Sequence, residues 1–239
     1  MTLQLLAIDA STDRVEIALG WQGCEHFATL AAGAQASAQL LPTIQALCAQ
    51  AGARLGELDA VAYGAGPGAF TGLRTACAAA QGLAFGLDCP VLALDTLAAV
   101  AESATALGAP EHLWATLDAR MGEIYAARLR RTGPGCWQIE RPAALFTPEA
   151  LLAELGAQDV LAGPALGAYA ALDTAAGGPH WPQARPDGPA LLQVAAWAWR
   201  AGAAIAAHQA LPVYVRNKVA ETTAERAERR ASSSSAALA

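Results

Sequence analysis

The chain has 239 residues, 54% of them hydrophobic and 15% charged, which excludes a mainly disordered polymer and suits one large domain or two compact halves. Its formal net charge of −6 denies it the basic footprint of an autonomous nucleic-acid binder, so RNA would be met through a partner or a local patch. Cys24, Cys48, Cys77, Cys89 and Cys136 are odd in number and form no Cys-x-x-Cys pair, which reads as reduced thiols in the cytoplasm rather than a disulfide framework.

The first residues carry no basic region, and Asp9 interrupts their apolar run, so a first strand is expected there rather than a signal peptide. Residues 3–10 and 15–21 read as strands joined by the polar turn Ser11-Thr12-Asp13-Arg14, with 24–30 as a third antiparallel strand. A helical pattern runs from Ser37 to Ala51, with Pro42 inside its first turns and Gly52 as its stop. Residues 58–63 form a short apolar run that feeds a loop with glycines at 64, 66, 68 and 72, and a helix over 71–86 follows. A buried-type strand over 91–94 and a helix capped by Thr96 and reaching Leu107 complete a first unit.

Near Ala109-Pro110 the pattern restarts. Residues 113–117 and 123–130 are expected to form a hairpin around Asp118-Ala119-Arg120-Met121-Gly122, with a further strand over 137–140. Thr147 caps a helix with Pro148 in its first turn, and 160–162 gives one more strand. A proline-rich loop over 177–189 leads to a helix over 190–207, whose apolar stretch falls short of a membrane span, and 213–215 closes the ordered part. Residues 221–239 turn charged and then serine-rich, the composition of a disordered tail. The order implies a duplicated α/β architecture, with one lobe over 1–108, a second over 109–220 and a tail over 221–239.

Few residues suggest chemistry. Asp9, at a strand end before a Ser-Thr turn, can orient an ion or simply accept N–H bonds from residues 11 and 12. The strand–glycine loop–helix order can cradle an anion, yet it has neither the Gly-Lys-Ser/Thr of a P-loop nor Gly-x-Gly-x-x-Gly spacing. The alternative is a tight turn that lets helix and strand approach closely. Arg74 in the first turn opposes the helix dipole, so a carboxylate or other anionic partner is expected, an internal salt bridge before an external anion. On the first helix Leu40, Ile44, Leu47 and Ala51 make one apolar line and Leu41 and Cys48 a second, so one line can face the parent sheet and the other a partner helix. The second helix carries a small-residue stripe, Gly72, Ala76, Ala80 and Ala84, flanked by Leu73, Cys77 and Leu83. His26, His112, His180 and His208 show no metal spacing, and no Ser, Cys or Lys has a base placed beside it in sequence.

Four segments resemble the TsaB (YeaZ) family: Leu6-Ala7-Ile8-Asp9-Ala10-Ser11-Thr12, Gly66-Pro67-Gly68-Ala69-Phe70-Thr71-Gly72-Leu73-Arg74, Asp118-Ala119-Arg120-Met121-Gly122-Glu123-Ile124-Tyr125 and Pro212-Val213-Tyr214-Val215-Arg216. The resemblance implies an actin-like (ASKHA) α/β fold of two related lobes, each with a mixed sheet flanked by helices. It implies a non-catalytic scaffold subunit that binds and activates the transferase TsaD, with TsaE as a third component, in the bacterial complex adding threonylcarbamoyl to N6 of adenosine 37 in ANN-decoding tRNAs. On that reading ATP is used by the complex and none is bound tightly by this chain, and tRNA is met only through the complex; alone, the chain is a homodimer through the same helices or a monomer, and the sequence leaves both open. The two helices would supply the partner contacts through Leu40, Leu41, Ile44, Leu47, Cys48, Leu73, Ala76, Cys77, Ala80 and Leu83, beside the loop residues Gly66, Gly68, Phe70, Thr71, Gly72 and Arg74. The alternative is an actin-like ATPase or kinase acting alone through Asp9 and the glycine loop. Bulky residues before Gly122 argue against that alternative, and Ala36 departs from the histidine common at that place in the family.

Overall fold

The computed structural model describes residues 2–33, 35–175 and 179–216. Five strands make the first sheet: β1 (Leu5–Asp9), β2 (Arg14–Trp21), β3 (Cys24–Ala31), β4 (Ala60–Gly66) and β5 (Val91–Asp95), in the order β3-β2-β1-β4-β5. β1 is antiparallel to β2 and parallel to β4, with Ile8 opposite both Ile17 and Tyr63. Every residue of β1 is buried, because both faces of the sheet are covered and neither side of the pleat meets water.

Period-two alternation sends Leu6 and Ile8 to one side and Leu5 and Ala7 to the other. On the first side lie α1 (Ala36–Ala51) and α2 (Phe70–Leu87), whose inner lines Leu40, Ile44, Leu47 and Ala76, Ala80, Ala84 close one core. α1 ends where expected, at Gly52 with φ 63°, a left-handed cap that glycine adopts freely. Pro42 is its seventh residue, within the first two turns as expected.

The second sheet contains β6 (His112–Arg120), β7 (Glu123–Gly133), β8 (Cys136–Phe146) and β9 (Leu161–Ala162), in the order β8-β7-β6-β9. Its first three strands form an antiparallel meander, and β9 runs parallel to β6. An antiparallel meander, a helix, and a strand returning beside the first therefore occur twice, with α4 (Pro148–Glu154) standing where α1 stands in the first lobe. The duplication inferred from element order is thus visible in sheet topology, and two mixed sheets flanked by helices make the actin-like α/β fold. α4 is capped by Thr147 Oγ1, which accepts from the Ala150 N–H at 3.2 Å.

Three expectations are corrected. Asp95, not Thr96, caps α3 (Thr96–Ala106), its carboxylate accepting from Leu97 N and Ala98 N. Two short helices, α5 (Ala165–Ala168) and α6 (Ala170–Ala175), occupy a stretch without a helical expectation. The last helix, α7 (Gly188–Arg200), begins inside the proline loop and stops seven residues before the expected end at 207, where Ile205 leaves the helix to bridge Val91 of β5. The expected tail over 221–239 lies outside the described residues.

Packing crosses the expected divide near residue 108. Leu97, Val100, Ala101 and Ala104 of α3 pack against Leu113, Leu117 and Leu129 of the second sheet. Leu191, Leu192 and Ala195 of α7 close the back of the first sheet against Leu5 and Ala7. The nine residues from Thr96 to Ala104 are all buried, as befits a helix wedged between lobes, and its polar members Glu102 and Ser103 are paired with Arg131 and Asp187. Among the described residues no helix is long and apolar enough to cross a membrane.

Candidate functional site

Two surfaces were marked by the sequence: the cleft where the lobes meet, and the outer face of α1 and α2. The cleft, about 480 Å³, is lined by the Ser11-Thr12-Asp13 turn and Gly68 from the first lobe, and by Asp118, Arg120 and Met121 from the second. Residues 213–216 add a further wall, with Pro164, Gly167 and Arg185 beside them.

Asp9 does not reach that cleft. Its Oδ1 accepts from the Ser11 N–H at 2.9 Å and the Ser11 hydroxyl at 2.6 Å, closing the turn as an Asx motif. Its Oδ2 is buried without a hydrogen-bond partner and lies against Gly64, where a Cβ would fall 1.8 Å from it. Burial raises the Asp9 carboxyl from 3.8 to about 6, against the opposing pull of the Ser11 hydrogen bonds; nearby Glu16 adds to the rise and the Thr96 hydroxyl subtracts from it. The turn-forming reading accounts for Asp9, although only residue 11 donates to it, not residue 12.

The glycine loop is likewise explained by contacts within the chain. A Cβ on Gly68 would fall 2.4 Å from Ser11 Cβ, and one on Gly72 would fall 1.7 Å from the Ala10 carbonyl. The Ala69 N–H, placed where an anion would be cradled, donates to the Ser11 carbonyl at 2.8 Å. Across the cleft Arg120, Met121 and Gly122 turn the β6–β7 hairpin with φ of 62°, 59° and 80°, held by Asp118, which accepts from the Arg120 N–H and the Tyr169 hydroxyl. Met121 stands 61% exposed at the tip. With the Ala69 N–H engaged internally, Asp9 sealed away and side chains at the second turn, these residues do not fit the phosphate cradle of an actin-like ATPase. Among the described residues no group of three or more His, Cys, Asp or Glu is placed to hold a metal ion.

Among the described residues Arg74 forms no salt bridge. Its guanidinium lies over the Phe70 ring, 3.9 Å from the centroid, and Nε donates to the Tyr214 hydroxyl at 2.9 Å. Phe70 and Tyr214 stack with centroids 5.1 Å apart. An aromatic face supplies the negative potential that the sequence led us to seek in a carboxylate. The strap over 207–216 was marked at 213–215 as the end of the ordered chain and at 212–216 as a family-resembling segment, with no role in joining the lobes, and it joins them. Its Leu211 N–H donates to the Tyr63 hydroxyl and its Val213 N–H to the Ala65 carbonyl, while Arg216 reaches the Ala119 carbonyl and, at 2.6 Å, the Glu123 carboxylate.

On the outer helices most of the expected partner contacts prove internal. Leu40, Ile44, Leu47, Cys48, Leu73, Ala76, Cys77 and Ala80 are buried in the chain's own core, and Leu83 packs against its edge. The two apolar lines of α1 therefore do not divide between sheet and partner, because Cys48 turns inward with the first line. Only Leu41 faces solvent, at 49%. What sequence reasoning missed is Phe85, 83% exposed on α2, with Ala78, Gly82 and Gly86 exposed along the same face. The available signal was charge: α1 and α2, 16 and 18 residues long, carry a single charged side chain between them, Arg74. A solvated helix face is normally studded with charges, and this one is not.

Residues 30–158 match the family model for TsaD, tRNA N6-adenosine threonylcarbamoyltransferase. The chain is 32% identical over 227 residues to the tRNA threonylcarbamoyladenosine biosynthesis protein TsaB of Escherichia coli K12, covering 91% of this chain and 96% of that protein. The Haemophilus influenzae TsaB is 40% identical over 129 residues, 54% of this chain and 55% of that one. The solved structure of YeaZ from Pseudomonas aeruginosa superimposes with a TM-score of 0.79 at 34% identity, covering 89% of this chain and 99% of that one.

Proposed function

The chain belongs to the TsaB (YeaZ) family, and from that premise we propose that it is a non-catalytic subunit of the bacterial complex that adds threonylcarbamoyl to N6 of adenosine 37 in ANN-decoding tRNAs. It takes part in tRNA threonylcarbamoyladenosine biosynthesis by docking its α1–α2 face on the transferase TsaD, in the cytoplasm, with TsaE joining the assembly. ATP is consumed elsewhere in that complex, and tRNA is engaged through the partners. The observation that carries the reading is the outer face of α1 and α2, where Leu41 and Phe85 are exposed and Arg74 is the one charge. Large apolar side chains on a surface so poor in charge mark an interaction site.

The reading is tested by threonylcarbamoyl transfer to tRNA in a mixture of the purified pathway proteins. Transfer is expected to require this chain, to survive Asp9→Asn in it, and to fall at least tenfold with Leu41→Glu or Phe85→Glu while both variants keep their native circular dichroism. A charge at Ala80 would test folding instead, since that side chain is buried. Transfer unchanged by omitting the chain would overturn the reading, and loss with Asp9→Asn in a folded protein would give the chain a catalytic part.

A further inference from the structure

We infer that Arg74 is the polar anchor of the α1–α2 face and that it receives a carboxylate from the transferase; this rests on the docking reading above. Arg74 is exposed and lies on the same side of α2 as Ala78, Gly82 and Phe85, since eleven residues return a helix almost to the same angle. It is the one charge on 34 residues of helix, contributed as 16 and 18, and no ion pair engages it among the described residues. It is the fifth residue of α2, just past a first turn that holds no acidic residue, so no carboxylate on its own helix pairs with it. A cation without an acidic neighbour on its helix is open to an incoming carboxylate.

The guanidinium is also prepared for such a partner. Phe70 lies under its plane and Tyr214 accepts from Nε, which leaves the two terminal nitrogens with no acceptor among the described residues. A planar fork immobilised on an aromatic ring loses little freedom when a carboxylate binds both of its free nitrogens. A nucleic-acid phosphate is the less suitable occupant, because backbone binding relies on clusters of cations and this face offers one. A second copy of the chain brings no carboxylate on α1 or α2, with Asp88 standing at the far cap of α2.

Calorimetric titration of full-length wild-type chain, Arg74→Gln and Arg74→Lys into the purified transferase, at low and high salt, tests the assignment. Arg74→Gln is expected to weaken binding by about thirtyfold and to flatten its salt dependence, as loss of a desolvated charge pair does. Arg74→Lys keeps the charge but not the fork, and should fall between the two. Wild-type affinity and salt dependence in Arg74→Gln would overturn the inference while leaving the docking reading intact. Failure of the wild-type chain to bind would overturn the docking reading itself. A variant that loses only self-association, or only tRNA binding by the assembled complex, would assign Arg74 to a second copy or to phosphate and overturn the carboxylate.

Discussion

A carboxylate with one oxygen doubly hydrogen-bonded and the other bare is an uncomfortable group to bury, and Asp9 at the end of β1 is such a group. Its folded pKa of about 6 lies above the ordinary 3.8, so the sign of its pH effect is set. An unfolded chain gives up this proton near pH 4, while the folded chain keeps it to about pH 6. Between those values the folded state binds more protons, so stability falls as pH rises through the window, and the full penalty stands above it. Asp9→Asn keeps an acceptor for Ser11, puts an N–H donor in place of bare Oδ2 and cannot ionise. The variant should therefore gain about 2–3 kcal/mol on wild type between pH 4 and pH 7, measured as the difference in urea-unfolding free energies at each pH. Glu16 and Asp95, also raised by burial, are common to both proteins. A constant difference across the range would mean that Asp9 is already ionised in the folded chain at low pH.

At the scale of elements, α2 carries two glycines in different surroundings. Gly72 faces inward, where a Cβ would strike the Ala10 carbonyl, and Gly82 faces open space with nothing within 4 Å. Gly72→Ala should destabilise the free chain by about 3 kcal/mol, since the β1–β2 turn would have to shift. Gly82→Ala should stabilise it by about 1 kcal/mol through lost backbone freedom in the unfolded state. Thermal unfolding of the pair checks both signs, and a loss from Gly82→Ala would mean that this face is not open in the free chain. The same helices mark how far the sequence could be read. Caps and periodicity are local, so Thr147, Pro148, Gly52 and the apolar lines were legible. Which neighbour covers an apolar line is not local. Leu40, Ile44, Leu47 and Cys48 look alike whether they meet a parent sheet or a partner helix, and here the parent sheet takes them all. Arg74 escaped in part for the same reason: Phe70 stands four residues before it, but Tyr214, which accepts from its Nε, is 140 residues away.

For the whole molecule, chain order suggests two lobes in succession, and the contacts interleave them. α3 belongs to the first lobe by order and packs into the second sheet, while α7 returns to the back of the first. No periodicity announces such returns, because an apolar helix can cover either sheet. The strap completes the exchange. Gln81 donates to the carbonyls of Ala207 and Ala210, Tyr63 holds Leu211, Ala65 holds Val213, and then Arg216 crosses to the β6–β7 turn. The first contacts bind the strap to the lobe it returned to, so Arg216 is the point at which it acts on the other. Its side chain is 11% exposed and Glu123 is 38% exposed, so solvent screens half of the pair and its worth is moderate. Arg216→Ala should cost about 1–2 kcal/mol, with the Ala119 carbonyl also losing its donor. Amide exchange then locates the loss. Exchange should quicken in the 118–123 turn, whose tip has two non-glycine residues at positive φ and depends on outside support, while the amide of Val213 stays protected by Ala65. Quickened exchange at Val213 as well would show that the strap seats as one unit and that Arg216 closes it. Unchanged exchange at both places would leave α3 and α7 as the sole tie between the lobes.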